Sequence, residues 1–394
     1  MSNVLVLNAG SSSLKYQLVN PDSGEVLADG IAEKIGEAIS RVKHTTAGVK
    51  ETRELPLADH AAALREVLAL FEEIGPRLDE VGITAVGHRV VHGGATYSLP
   101  TVIDDTVVAG IEALNPLAPL HNPANVTGIT VARELLNVPH VAVFDTAFFS
   151  TLPPAAYTYA IDEDVAREHN IRRYGFHGTS HQYVSSTVSD FLGRDDLKQV
   201  VLHLGNGASA SAVVNGQAVD TSMGLTPLEG LVMGTRCGDL DPAIIFHLNR
   251  VAGLSLDEID TLLNKKSGVY GLYGHVDMRH LEDAWHAGEP KAIAVMDVYR
   301  HRLVKYVGAY AAVMGGIDVL TFTAGVGEND PQLRADMAEA LSFLGFAIDA
   351  EANAPRSKEP RVVSPAGHPG PVIMVVPTNE ELAIAQRTLA AVAD

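Results

Sequence analysis

The stretch QVVLHLGNGASASAVVNGQAVD, residues 199 to 220, decides the fold. Its GNGASA fits the pattern G-x-G-x-x-A of a dinucleotide-binding turn, a reading that requires a helix next. The residues after it are SAVV, then Asn215-Gly216, then QAV. Valine-rich segments around an Asn-Gly pair predict a strand, a tight turn and another strand. The dinucleotide reading therefore fails on context. No G-x-x-x-x-G-K-[ST] run occurs, so a Walker-type loop is excluded as well.

The same plan stands near the start of the chain. VLVLNAGSSSLKYQLVN, residues 4 to 20, is an apolar strand, a turn of glycine and serine, and a second strand. A polar residue sits late in the first strand of each copy, Asn8 in one and His203 in the other. An offset of about 200 residues in a chain of 394 is half its length and predicts two related domains. Small-residue turns let backbone amides and hydroxyls approach an anion closely, although an ordinary hairpin needs the same residues for its turn alone.

Around these hairpins, strands and helices alternate. Asp59 caps a helix that carries Leu64, Val67, Leu68 and Phe71 on one face and ends at Gly75-Pro76. ITAVGHRVVHGG is a strand entering a glycine-rich loop, HVAVFD is a strand ending at Asp145, and Pro290 to Met314 is helical in pattern. IDVLTFTAGVGEND is a strand entering a glycine loop with a helix from about Pro331, and PVIMVVPTNEELAIAQRTLAAVA closes as strand then helix. This is α/β layering.

Composition narrows the function. Lys+Arg 29 against Asp+Glu 48 gives a net charge of −19, which excludes a broad basic face for nucleic acid or an anionic membrane. An anionic ligand would need arginines and lysines gathered locally. One cysteine, Cys237, fits a reducing compartment; with no basic, apolar leader at the N-terminus, the protein is expected to be cytoplasmic. The least charged stretch, from Tyr306 to Gly327, is cut by Gly315-Gly316 and reads as a helix end followed by a buried strand rather than a membrane span.

Two hairpin loops, GSSSLK and GNGAS, with the loop AGVGEN, are what a nucleotide polyphosphate clamped between twin domains would need. Lys15 would add a point charge, or simply be solvated. Arg89 and Arg236 lie beside glycines, where a guanidinium can reach a phosphate or carboxylate, though each also suits a surface ion pair. Asp145, at a strand's C-terminal end, could hold Mg²⁺, orient an attacking group, position an arginine or cap the next turn. His177 in RRYGFHGTSH could donate to a transferring phosphoryl or be structural. His181, four residues on, could share its helix face, but no third ligand at zinc spacing is evident. In TNEEL, Thr378 and Glu381 fit a capping box, which leaves Glu380 as the carboxylate for a metal or active-site contact.

Assembled, NAGSSSLK, HRVVHGG, RRYGFHGTSH, HLGNGAS, MGTRCGDLDP, FTAGVGEN and PTNEEL resemble the motifs of the acetate kinase family, in order and over residues 4 to about 386. Phe149-Ser150 departs from the histidine and glutamine that the family more often shows after FDTAF, which puts the surroundings of the pocket in question. The resemblance implies two duplicated ribonuclease-H-like domains of the actin-like ATPase superfamily, residues 1–147 with 380–394 and residues 148–379, in a homodimer. It implies reversible, Mg²⁺-dependent transfer (Mn²⁺ substituting) of the ATP γ-phosphoryl to acetate, giving acetyl phosphate and ADP. Asn8 and Glu380 would hold the metal, Arg89 would bind the acetate carboxylate, Asp145 would be the active-site carboxylate, and His177 and Arg236 would stabilise the transferring phosphoryl. ATP would contact Lys15, His203, Leu204, Gly205, Asn206, Gly207, Asp277, Met278, Arg279, Ala324, Gly325, Val326, Gly327 and Glu328. Val91, Leu120, Phe176 and Pro227 would surround the acetate methyl group. A propionate or butyrate kinase shares these loops and differs in pocket volume; a non-catalytic nucleotide switch of the actin or chaperone type shares the clamp but needs no acyl pocket.

Overall fold

The computed structural model describes residues 2–393. The chain divides into two compact units: the segment up to Ala147 together with that from Asn379, and Phe148–Thr378.

The first unit is built on eight strands: β1 (Asn3–Ala9), β2 (Ser13–Val19), β3 (Val26–Glu33), β4 (Ser40–Thr46), β5 (Val49–Leu55), β6 (Ile83–Val90), β7 (Thr101–Val102) and β8 (His140–Phe144). Their order is β5-β4-β3-β2-β1-β6-β8-β7. The second has six: β9 (Lys198–Leu204), β10 (Ala208–Val214), β11 (Gln217–Thr221), β12 (Val319–Thr323), β13 (Arg361–Val362) and β14 (Val372–Val375), in the order β11-β10-β9-β12-β14-β13. The plan is the same in both. An antiparallel meander, three strands long in the second unit and extended to five by β4 and β5 in the first, leads through its first strand into two parallel strands, with a two-residue antiparallel strand at the edge. The echo between the two hairpins is thus a duplication of topology.

The alternation of side chains along a strand explains why β1 is apolar throughout. Leu5 and Leu7 pack with Leu64, Val67 and Phe71 of the helix His60–Glu73, while Val4 and Val6 face Ile384 and Ala385 of the helix Glu380–Ala393. Each such side chain, removed from water, contributes about 1.5–3 kcal/mol. Asp59 caps the first helix by accepting from Ala62 N at 2.8 Å. In the second unit β10 runs back along β9 with Ala208 opposite Leu204, so Gly205-Asn206-Gly207 forms the turn.

Three local expectations are corrected. AGVGEN is not an open loop but a short helix, Ala324–Asn329, because the Glu328 carboxylate accepts from the Ala324 amide at 2.8 Å and closes the turn on itself. Thr378 and Glu381 do not form a capping box. Asn379 caps the last helix by accepting from Leu382 N at 3.1 Å, while Thr378 Oγ1 meets Ser180 Oγ and Glu381 pairs with Lys15. His177 is not on the helix that carries His181; it precedes the helix Gly178–Leu192 in a left-handed conformation, φ 57°. Phe149 belongs to the core with Phe148, Leu152 and Val213, its ring against the edge of His181.

Candidate active site

In the first unit, β6 and β8 run parallel with Arg89 beside Val143, and the chain leaving β8 carries Asp145 back against Arg89. The guanidinium is forked on the carboxylate, Nε donating to Oδ1 at 3.1 Å and Nη2 to Oδ2 at 2.7 Å, with Asp145 1% exposed. Glu380 Oε2 lies 3.9 Å from Arg89 Nε. Burial opposes the Arg89 charge, but the carboxylates of Asp145 and Glu380 outweigh it and hold the guanidinium above its ordinary range. Burial likewise raises Asp145, with Arg89 pulling it back toward ionisation.

Residues not singled out in the sequence hold this corner. Asn125 Oδ1 accepts from Val91 N at 3.0 Å while its Nδ2 donates to Ala9 O at 2.7 Å, tying the loop after β6 to the end of β1. Asn122 brackets His92, accepting from its N and donating to its O. His121 and Arg387 both set positive charge toward Asp145, and burial brings the Arg387 guanidinium down to about 10. The signal that could have found the two asparagines is their i, i+3 spacing in HNPAN, which puts both on one helix face. Val91 and Leu120 belong to this unit, Leu120 being exposed. Lys15 is half exposed and engaged with Glu381.

Asn8 and Glu380, the residues expected to hold the metal, carry an amide oxygen and a carboxylate, both hard donors. Among the described residues no group of three or more histidine, cysteine, aspartate and glutamate side chains could hold a metal. A donor set of one carboxylate and one amide fits Mg²⁺, which keeps waters and takes substrate phosphate oxygens beside one or two carboxylates.

In the second unit the turn Gly205-Asn206-Gly207 packs closely against His177 and Arg236. A methyl group added at Gly207 would stand 3.3 Å from His177 Nε2 and 3.7 Å from Arg236 Nη1. Arg236 is held by Pro227 O at 3.1 Å and has no carboxylate within ion-pair distance among the described residues, and burial lowers it. Asn206 locks the turn to the next loop: Gly234 N donates to its carbonyl at 2.9 Å, and its side chain fills the space a Cβ at Gly234 would need. The His177 and His203 rings stack with centroids 4.4 Å apart.

A cavity of about 630 Å³ gathers Gly205, Asn206, Asp277, Met278, Arg279, Gly325 and Val326. It adds Val276, Glu282, Asn329 and Arg356, which sequence reading did not single out. Burial, then the carboxylates of Asp330, Asp283 and Asp277, push Glu282 up to about 7. Arg279 and Asp277 are forked on one another, Nη2 donating to Oδ2 at 2.6 Å. Leu204 and Phe176 are buried, Leu204 completely. Glu328 braces the site from behind, accepting from both Ala324 N and Thr378 N. A second cavity of the same volume, beside Trp285 and Asp336, holds none of the candidate residues.

Each unit thus sets an arginine beside glycine-flanked turns on a ribonuclease-H-like sheet, the architecture of phosphotransferases and nucleotide switches. The family model of the acetokinase family matches residues 3–386. Acetate kinases of Leifsonia xyli subsp. xyli and Streptomyces avermitilis are each 57% identical, the first covering 100% of both chains, the second 99% of this chain and 98% of its own. Among solved structures, the acetate kinase of Porphyromonas gingivalis has TM-score 0.93 at 44% identity over 100% of both chains. A propionate kinase of Francisella tularensis subsp. tularensis has TM-score 0.93 at 41% identity, over 99% of this chain and 100% of that one. The chain belongs to the acetokinase family.

Proposed function

We propose that the protein catalyses reversible, direct in-line transfer of the ATP γ-phosphoryl to acetate, giving acetyl phosphate and ADP. The observation that carries this reading is the convergence of His177 Nε2 and a carboxylate-free Arg236 Nη1 on Gly207, in a turn whose Gly205 and Asn206 line a cavity of nucleotide size.

A carboxylate is already a nucleophile, so the work is to bring two anions together and neutralise charge on the transferring oxygens. An acetate oxygen attacks the γ-phosphorus, and the bond to the bridging oxygen breaks with its electron pair going to ADP. Arg236 and His177 donate to the phosphoryl oxygens. Arg89, aimed by Asp145, receives the acetate carboxylate; the candidates for the methyl group are Val91 and Leu120 in the first unit and Phe176 and Pro227 in the second. Asn8 and Glu380 would hold Mg²⁺, which when bound would supply charge neutralisation on the phosphate oxygens. The cavity residues Asp277 to Arg279 and Gly325-Val326 receive the nucleoside. Residues 1–147 with 380–394 and residues 148–379 act as the two domains.

We further propose a cytoplasmic homodimer. The helix Ala243–Ala252 buries none of its residues and exposes Ile244, Phe246 and Val251, the last at 72%. No helix among the described residues is long and apolar enough to cross a membrane.

The test is ADP release from Mg-ATP with no acid, acetate, propionate or butyrate at matched concentrations. Strong stimulation by acetate is expected. Greater kcat/KM with propionate would favour the second reading, which the Francisella structure supports; a methylene is worth only about 1–3 kcal/mol in such a pocket. Equal ADP release without acid would overturn both.

A further inference from the structure

Behind His177 lies a chain of alternating imidazoles and hydroxyls, all within the second unit. Ser211 Oγ meets His181 Nδ1 at 2.8 Å, His181 Nε2 meets Ser209 Oγ at 2.7 Å, and Ser209 Oγ meets His177 Nδ1 at 2.9 Å. The other nitrogen of His177 is the one that faces Gly207. Ser209, Ser211 and His181 are fully buried. We infer that His181 is a positioning residue that, through Ser209, holds His177 as the neutral tautomer with its proton on Nε2, directed at the phosphate turn.

Counting protons gives the polarity. A serine hydroxyl has one proton to donate, and a neutral imidazole has one donor nitrogen and one acceptor. Ser211 has one side-chain hydrogen-bond partner among the described residues, His181 Nδ1, so in this dry position its proton goes there. His181 Nδ1 is then the acceptor and Nε2 carries the proton. That proton goes to Ser209 Oγ, which must use its own on His177 Nδ1. His177 is left with its proton on Nε2. Reversing the chain would strand the Ser211 proton in the interior. Charging His181 would bury a cation, and burial together with the neighbouring His203 holds this imidazole well below its ordinary value. The ring of Phe149 against the His181 edge closes off water from that side. Phe149, the first residue of the Phe149-Ser150 pair noted in the sequence, therefore packs against the relay.

A fixed Nε2 proton donor costs no reorganisation when charge develops on the phosphoryl, which is the condition for strong transition-state stabilisation. The inference rests on the reading of His177 as the phosphoryl donor, but its first test does not. In ¹⁵N-histidine-labelled enzyme without substrate, with signals assigned by single-histidine replacements, His177 and His181 should both show a protonated Nε2 and an unprotonated Nδ1. Ser211→Ala touches neither His177 nor any bound phosphate. It should convert both histidines to tautomer mixtures and lower kcat by about tenfold, with both KM values within about threefold of the parent. Ser209→Ala should lower kcat by about 10- to 100-fold, and Ser209→Thr, which keeps the hydroxyl, should restore most of it. A protonated Nδ1 on His177 in the parent enzyme, or a Ser211→Ala variant whose His177 signals do not move, overturns the relay. Failure of the phosphotransferase reading would leave the resting spectrum as described; failure of the relay would change that spectrum while acid-dependent ADP release persisted.

Discussion

The two units share a strand order and a glycine-turned first hairpin, yet their arginines live in opposite electrostatic company. In the first, Arg89 is clasped by Asp145 with Glu380 nearby, a cation already oriented and largely compensated. In the second, Arg236 touches a carbonyl oxygen and a methionine sulfur, and its neighbours are imidazoles held by serine hydroxyls. A guanidinium fixed by one carboxylate can offer its remaining edge to a second in a defined plane, which suits selection of a small acid. One with no counter-ion keeps its whole charge for a group that becomes anionic in the transition state. Duplicated topology repeats one sheet plan; on the proposed function, the residues at the turns give each copy its own share of the chemistry.

This contrast can be broken from either side. Replacing Arg236 by alanine is the largest expected effect, a fall in kcat of about 10³-fold with acetate KM changed little, since no other cation replaces it at the phosphoryl. If steady-state kinetics showed a raised acetate KM alone, the division of labour would be wrong. Arg89→Ala is expected to act on the fold as well as the substrate. It leaves Asp145 buried without its partner, at a cost of about 3–5 kcal/mol in urea unfolding. Adding Asp145→Asn to that variant should recover part of the loss, and no recovery would mean the pair is not coupled.

Glu282 sharpens the comparison through pH. The folded chain keeps its proton to about 7, whereas the unfolded chain releases it near 4.5. Between those values the unfolded state binds fewer protons, so this group makes stability fall as pH rises. Glu282→Gln should therefore be more stable than the parent at pH 8 by roughly 1–2 kcal/mol, discounted for its partial exposure, and nearly equal at pH 4.5. A constant difference across that range would remove Glu282 from the account. The smallest effect belongs to Lys15→Ala. An exposed pair with Glu381 is worth about 0–1 kcal/mol, and thermal melting should move correspondingly little.

Strands were the most legible part of the sequence because their signals are local. The runs at 4–20, 199–220 and 372–375 announce themselves by continuous apolar segments, the first two with Gly-Ser or Asn-Gly turns as well, and the repeat of those two exposes the duplication. Motifs around Arg89, His177, Gly207 and Arg236 were legible for a similar reason, being compact and glycine-flanked. What failed depended on partners distant in the chain. Thr378 looked like a helix cap, but its hydroxyl is taken by Ser180 and its amide by Glu328, so Asn379 caps instead. AGVGEN read as a loop because two glycines argue against a helix, and the Glu328 carboxylate that closes the turn leaves no pattern. The pairing of His177 with His181 was suggested by spacing, yet the link is Ser209, on a strand whose order could not be inferred from either histidine. Arg387 sits in an amphipathic C-terminal helix, where nothing distinguishes it from a solvated arginine.

The most direct test of the central claim is the stoichiometry of acyl phosphate to ADP, measured in one sample of enzyme, Mg-ATP and acetate with hydroxylamine trapping the acyl group. One acyl hydroxamate per ADP is the predicted result. ADP accompanied by an equal amount of inorganic phosphate and no hydroxamate would contradict transfer to the acid.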